Sequence, residues 1–367
     1  MKIIFVTNDI SYYGASRSLR SLLIEIQKSN LFDIKLVIPK RLFGKNNIIE
    51  IENWFSIKKS NIFEFSLPFY NRYKGKNESI FPFVYTLLSR INAKKIKKFF
   101  YDEKPDIIHL NSLTIIDLAS VEFNFVLHVR EILEDHANKR YLQNKLNLIN
   151  KVIFIDQATK SAFNLFNINK YKILNNPFNM THLTNIEYSN AIKLLPEIYR
   201  KHIIISLIGK IHSEKGSEFI IDVFNKLKRS DVLLVIMGSG EENYCKELKK
   251  LSSFNIIFLK ESPNVDPLYK ISDYIIRGES YPCIGRTTFE GLYAGISVIL
   301  PGSIDFYKNN ILEYKKFRNN IYIYNPRDES SLLKLLYDLN PIKIENRVYE
   351  SNVNKYLSDF ENFIVNE

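Results

Sequence analysis

Short runs of β-branched and aliphatic residues alternate along the chain with stretches whose apolar positions recur every three to four residues. The strand-like runs of the first half are Ile3–Thr7, Ile34–Ile38, Ile107–Leu110, Phe125–His128, Val152–Ile155 and Lys172–Leu174, with helical stretches at Ser16–Lys28, Phe83–Phe100 and Gln157–Phe166. Residues 41–80 keep neither period and read as loops with short elements. The turn cluster Asn175-Asn176-Pro177-Phe178-Asn179 closes this series, and residues 180–200 form a connection. A second series follows, with strands at Ile203–Ile208, Val232–Met237, Ile256–Leu259, Tyr274–Arg277, Ser297–Leu300 and Ile321–Tyr324. Its helices are Ser217–Lys228, Glu241–Leu251, Thr287–Ala294 and Glu329–Leu339, and a last helix spans Glu350–Val365. Strands alternating with helices predict two consecutive doubly wound parallel α/β sheets. The expected domains are 1–178 and 179–349, without a short-period repeat.

Composition narrows the class. With 46% hydrophobic residues in 367, the chain can fill two cores. No apolar run approaches eighteen residues, so no spanning helix is expected. The opening Met1–Thr7 turns polar at Asn8-Asp9, which suits a first strand better than a signal peptide. Cys245 and Cys283 are far apart, which argues for a reducing, cytoplasmic compartment and against a disulfide or cysteine-held zinc.

Charge is uneven. Residues 1–100 hold 18 Lys/Arg against 7 Asp/Glu, whereas residues 101–367 hold 33 of each, so the whole net charge of +11 lies in the first quarter. Such a region suggests an anionic partner; a solvated surface with chance bias is the plainer account. Residues 35–98 carry 14 Lys/Arg against 4 Asp/Glu. Within them Arg90–Phe100 reads as a basic amphipathic helix, with Val84, Tyr85, Leu88, Ile91 and Phe99 on one side and lysines on the other. It fits either an anionic membrane surface or an apolar side packed on the first sheet.

Four segments offer chemistry. Small residues including Gly14 and Ala15 sit in the first strand-to-helix turn, where backbone N–H groups and the helix dipole favour anions; an ordinary capped turn reads equally well. The turn lacks a Gly-x-Gly-x-x-Gly fingerprint, against a nicotinamide dehydrogenase. Gly209-Lys210 and Lys215-Gly216 put two cations beside a helix start, a diphosphate site or a solvated loop. Gly238 suits close approach of a ligand or a plain turn. In Arg277–Ile299 a loop leads into a helix, and open N–H groups near Gly285, Arg286 and Thr287 suit a phosphate. Glu290, one turn in, suits ribose hydroxyls or is a surface glutamate.

The strings "GKIHSEKG", "MGSG" and "ESYPCIGRTTFEGLYAGISVI", preceded in order by "YYGASRSLRSLL", "PDIIHLNS", "VLHVREI" and "ILNNPFN", resemble glycosyltransferase family four over nearly the whole chain. The resemblance implies the GT-B fold: two Rossmann-like doubly wound domains facing each other across a cleft, acceptor in the first and nucleotide sugar in the second. It implies that segment 350–367 packs back on the first domain. It puts Lys210 and Lys215 on the donor diphosphate, the backbone of Ile284–Thr287 on sugar and diphosphate, and Glu290 on the ribose. The family's first motif glutamate lies eight residues before the second; here that position is Pro282, and the nearest acid is Glu279, eleven before, which leaves Glu279 to reach the sugar. His128, at a strand end, resembles the family's histidine near the transferred sugar; taken alone, a strand-end histidine reads as a hydrogen-bonded structural residue. Arg130, Glu131 and Asn111 are then acceptor contacts, although Arg130 and Glu131 also suit an ion pair.

The expected activity is therefore metal-independent, retaining transfer of a sugar from a nucleoside-diphosphate sugar to a saccharide, with His128, Lys215 and Glu279 nearest the reaction. No cofactor is expected: six histidines and no clustered carboxylates offer no evident metal set. The acceptor implied is a lipid-linked saccharide of bacterial surface polysaccharide synthesis, met at the inner face of the plasma membrane. The rivals are a GT-B-like nucleotide-sugar epimerase, which needs no acceptor, and a nucleic-acid-binding protein, for which no recognition module is present.

Overall fold

The computed structural model describes residues 1–12, 14–29, 31–41, 45–68, 82–131, 133, 138–342 and 347–366, the side chains of 82–90 excepted. The chain divides into two compact units, Met1–Pro177 with Val353–Glu367, and Phe178–Asn352.

The first unit is built on seven parallel strands: β1 (Lys2–Val6), β2 (Asp33–Pro39), β3 (Ile62–Phe65), β4 (Ile107–Leu110), β5 (Phe125–Val129), β6 (Lys151–Phe154) and β7 (Tyr171–Ile173). Their order is β3-β2-β1-β4-β5-β6-β7, so the winding reverses between β1 and β4. Both faces are covered, and alternate residues serve different cores. Ile3 and Phe5 pack with Leu19, Leu22 and Phe360, whereas Ile4 and Val6 pack with Phe100, Leu113 and Phe125. That is why these strands read as unbroken apolar runs. Helix Gly14–Ile26 and the returning helix Val353–Glu361 share the first face; Tyr356, Phe360, Phe363 and Ile364 bury their side chains there.

The second unit holds β8 (Ile203–Ile208), β9 (Val232–Met237), β10 (Ile256–Leu259), β11 (Tyr274–Ile276), β12 (Ser297–Pro301) and β13 (Ile321–Tyr324), all parallel, in the order β10-β9-β8-β11-β12-β13. Here the winding reverses between β8 and β11. Both sheets are thus the doubly wound α/β type expected from the pattern. No helix among the described residues is long and apolar enough to cross a membrane.

Segment 41–80 is more regular than its sequence suggests. It contains β3 and helix Ile48–Phe55, which Asn47 caps by accepting from the Glu50 N–H. Residues 42–44 and 69–80 of that segment, and Tyr13 of the first turn, lie outside the described residues, as do the side chains of Val84, Tyr85, Leu88 and Arg90. The basic helix spans Pro82–Glu103. Its apolar side chains Ile96 and Phe100 are fully buried on the first sheet, and Phe99 lies 4.6 Å from Phe63, centroid to centroid. Lys94, Lys95 and Lys98 are exposed, as is Ile91.

Candidate functional site

In an open α/β sheet ligands gather off the carboxyl ends of the strands where the winding reverses. In the second unit that place is held by the loops after β8 and β11. The loop after β8 runs from Gly209 to Gly216, and the loop after β11 from Arg277 to Gly285. They close on each other at Gly216 and Gly278: a Cβ on Gly216 would lie 1.6 Å from the Gly278 carbonyl oxygen. Two glycines therefore set how near Lys215 comes to Glu279.

Arg277 organises the second loop. Its Nε donates to Glu279 Oε2 at 3.1 Å, its Nη2 donates to Glu279 Oε1, and its Nη1 donates to Thr287 Oγ1 at 2.9 Å. The Glu279 side chain is 1% exposed and Arg277 11%, while Lys215, 3.3 Å from the same Glu279 oxygen, is 47% exposed. Burial alone would raise the Glu279 carboxyl, but Arg277 and then Lys215 outweigh it and hold the group below its ordinary range. The trio carries one net positive charge, and its solvent-facing member is the Lys215 ammonium.

Helix Arg286–Tyr293 starts beside this cluster with Gly285 as its N-cap, so no side chain caps its first N–H groups. A helix start with open amides and cations nearby suits a phosphate. Glu290, one turn in, is buried; its Oε2 accepts from Tyr269 at 2.5 Å and its Oε1 from Arg286 Nε at 2.8 Å. Arg286 also lies 5.0 Å over the Phe178 ring. Lys210 is exposed, and Ile284 half-buried. Gly238 has a structural role: its Cβ would stand 1.7 Å from the Gly209 carbonyl oxygen, so the two strand ends require glycine to lie this close.

In the first unit the reversal lies between β1 and β4. Asn111, just past β4, donates from Nδ2 to the Ala15 carbonyl at 3.3 Å and accepts from Arg130 Nε at 3.0 Å. Arg130 also donates to Asn176 and bonds His128 Nδ1 at 3.3 Å. His128 is fully buried and its Nε2 has no partner among the described residues. Burial, then the Arg130 charge, pushes its pKa well below the usual value. Neutral His128 thus accepts at Nδ1 and keeps its proton on Nε2. Its neighbour His109, ring centroids 5.4 Å apart, is lowered to about 3 by burial and then by Arg130. Glu131 accepts from Ser112 and from the Leu113 and Arg130 N–H groups, which ties it to the short helical turn after β4.

The structure thus brings Lys215, Glu279, Gly285 and Thr287 together in one unit, and Ala15, Asn111, His128 and Arg130 in the other. Gly14 is exposed at the start of helix Gly14–Ile26, where it adopts a positive φ. Arg277 is the organising residue that the sequence hid as the last position of a strand; an arginine two residues before an acid was the only signal.

Residues 194–337 match the family described as Glycosyl transferases group 1. The chain is accordingly an enzyme of the glycosyltransferase kind. No curated protein matches it by sequence. Among solved structures it is similar to HepE of Anabaena in complex with UDP and glucose, with 16% identity over 99% of this chain and 91% of that one, at a TM-score of 0.69. A glycosyltransferase from Rickettsia africae matches at 16% identity over 100% and 99% of the two chains, TM-score 0.70. WaaG, a glycosyltransferase involved in lipopolysaccharide biosynthesis, matches at 12% over 91% and 89%, TM-score 0.61. At these identities the likeness is one of fold.

Proposed function

We propose that the chain transfers a sugar, with retention and without a metal, from a nucleoside-diphosphate sugar to a saccharide acceptor. The observation that carries this reading is the Arg277–Glu279–Lys215 cluster at the reversal of the second sheet, beside the uncapped start of helix Arg286–Tyr293. As the glycosidic bond stretches, charge grows on the leaving diphosphate. Lys215, Lys210 and the N–H groups from Ile284 to Thr287 stabilise it without a proton transfer. Glu290 takes the ribose hydroxyls. A UDP-sugar is the donor favoured, since HepE has been solved with UDP and with UDP-glucose.

The proposal assigns Asn111, Arg130 and Glu131 to the acceptor, puts His128 beside the transferred sugar, and gives Gly14 and Ala15, at the first turn, to the donor. A lipid-linked acceptor of surface polysaccharide assembly, met at an anionic membrane, fits the exposed lysines of helix Pro82–Glu103. A panel of UDP-, GDP- and ADP-sugars in thermal shift tests the donor half, because a bound donor stabilises by mass action. A shift with none of them overturns the reading. Nucleotide release that needs no acceptor and inverts a sugar centre would make the protein an epimerase instead. EDTA is expected to leave turnover intact.

A further inference from the structure

The first unit holds a cavity of about 450 Å³ that the foregoing roles leave unused. It lies off the carboxyl ends of β1 and β2, between the turn after β1, residues 39–41 after β2, and helix Ile48–Phe55. Its volume falls within the roughly 300–1,000 Å³ of small-molecule sites. Two of its walls are aromatic: Tyr12 and Trp54 meet edge to face, ring centroids 4.7 Å apart. Trp54 is fixed from behind. Its Nε1 donates to Ser16 Oγ at 3.2 Å, and Arg20 lies 4.7 Å over its ring. Tyr12 is fixed by donating its hydroxyl to the Glu50 carboxylate. A rigid aromatic corner therefore lines the cavity, with Asn47 and Glu50 beside it.

The charges choose the ligand class. Lys40 and Arg41 are matched by Asp9 and Glu50, so the lining is neutral in sum and does not select an anion. Mixed donors and acceptors beside aromatic rings suit a neutral polyol, whose C–H faces pack on the rings while its hydroxyls bond to carboxylates and amides. Position then sets its size. Strand order puts β2 three places from β5, which carries His128, or about 14 Å at one strand spacing each. A saccharide reaching from this cavity to His128 needs more than one ring.

We propose that this cavity is a neutral saccharide subsite, built on Trp54 and Tyr12, that holds an acceptor ring remote from the one receiving the sugar. The acceptor is then an oligosaccharide. The placement of the reacting end rests on the transferase reading; saccharide binding in the cavity does not.

Trp54 is the only tryptophan of the chain, so indole fluorescence reports this cavity alone. The full-length protein is titrated with lactose, maltotriose and chitotriose, and with glucose as the single-ring control. A saturable change with at least one oligosaccharide, at concentrations where glucose has little effect, is expected. Tyr12→Leu should weaken that response about tenfold, and Trp54→Leu the calorimetric binding likewise, while thermal shifts by UDP-sugars stay as in the parent. A flat signal with all three oligosaccharides overturns the proposal, and so does a response to glucose equal to theirs. If Trp54 responds but no nucleotide sugar shifts the protein, the transferase reading fails and the saccharide site stands.

Discussion

The Arg277 guanidinium fills the space in which Gly285 would carry a side chain: a Cβ there would lie 2.1 Å from Arg277 Nη1. Gly285→Ala must therefore move a buried cation that also holds Glu279 and Thr287. Overpacking of this kind costs about 1–3 kcal/mol. Urea unfolding should show that loss, together with a weakened thermal shift by UDP-sugars. Parental stability and an unchanged shift would mean that the arginine does not organise the loop.

Glu279→Gln leaves the buried Arg277 without its counter-ion, a change expected to cost about 3–5 kcal/mol near neutral pH. Because the Glu279 pKa is held below its ordinary value of 4.5, its contribution is present above that value. It is lost as pH falls through the lowered folded-state value. The gap between parent and variant should thus be widest above pH about 5 and close in stronger acid. A gap independent of pH, measured by urea unfolding across that range, would contradict the ion-pair account.

His109 and His128 are buried and neutral, and the unfolded chain binds protons more readily than they do. Stability is therefore complete above about pH 6.5 and falls below it, down to about 3 for His109. Each such histidine costs up to about 1.4 kcal/mol per pH unit in that window. Neither ring nitrogen of His109 has a hydrogen-bond partner among the described residues, and its ring lies 4.8 Å from Phe5. His109→Phe should consequently flatten the acid side of the stability curve at little cost near pH 8. A curve as steep as the parent's would place the acid sensitivity elsewhere.

Helix Pro82–Glu103 spends Ile96, Phe99 and Phe100 on the core of its own unit, so the exposed lysines beside them would attach it to a membrane by charge. Exposed lysines contribute about 1 kcal/mol each at an anionic surface. Co-sedimentation with anionic vesicles should fall steeply with salt. It should be lost when Lys94, Lys95 and Lys98 become glutamate. Binding that survives high salt would point to an apolar anchor instead.

The uninterrupted strands were the most legible elements. Ile203–Ile208 and Val232–Met237 are buried on both faces, so every position reads apolar and their ends coincide with the structure. β3 was not legible: Ile62–Phe65 is a four-residue edge strand that follows Lys58-Lys59-Ser60-Asn61, too short for its alternation to register. Trp54 is no more legible, since helix Ile48–Phe55 has only eight residues. The site was legible as loops, not as contacts. Lys215, Gly285 and Glu290 stand out because phosphate chemistry asks for a cation, open amides and an acid at helix starts. That Lys215 meets Glu279, and Ser112 meets Glu131, depends on pairs brought together only by strand order.

The first unit is assembled from both ends of the chain, and this orders events during synthesis. When Pro177 has emerged, the face of β1, β5 and β6 that Tyr356, Phe360 and Phe363 will cover is still open. The second unit, one unbroken segment, has everything it needs first. At about 5–20 residues per second the interval before Val353 is made lasts roughly 10–35 s. For that time a strip of apolar sheet from a nearly finished domain has only chaperones or its own neighbours to shield it.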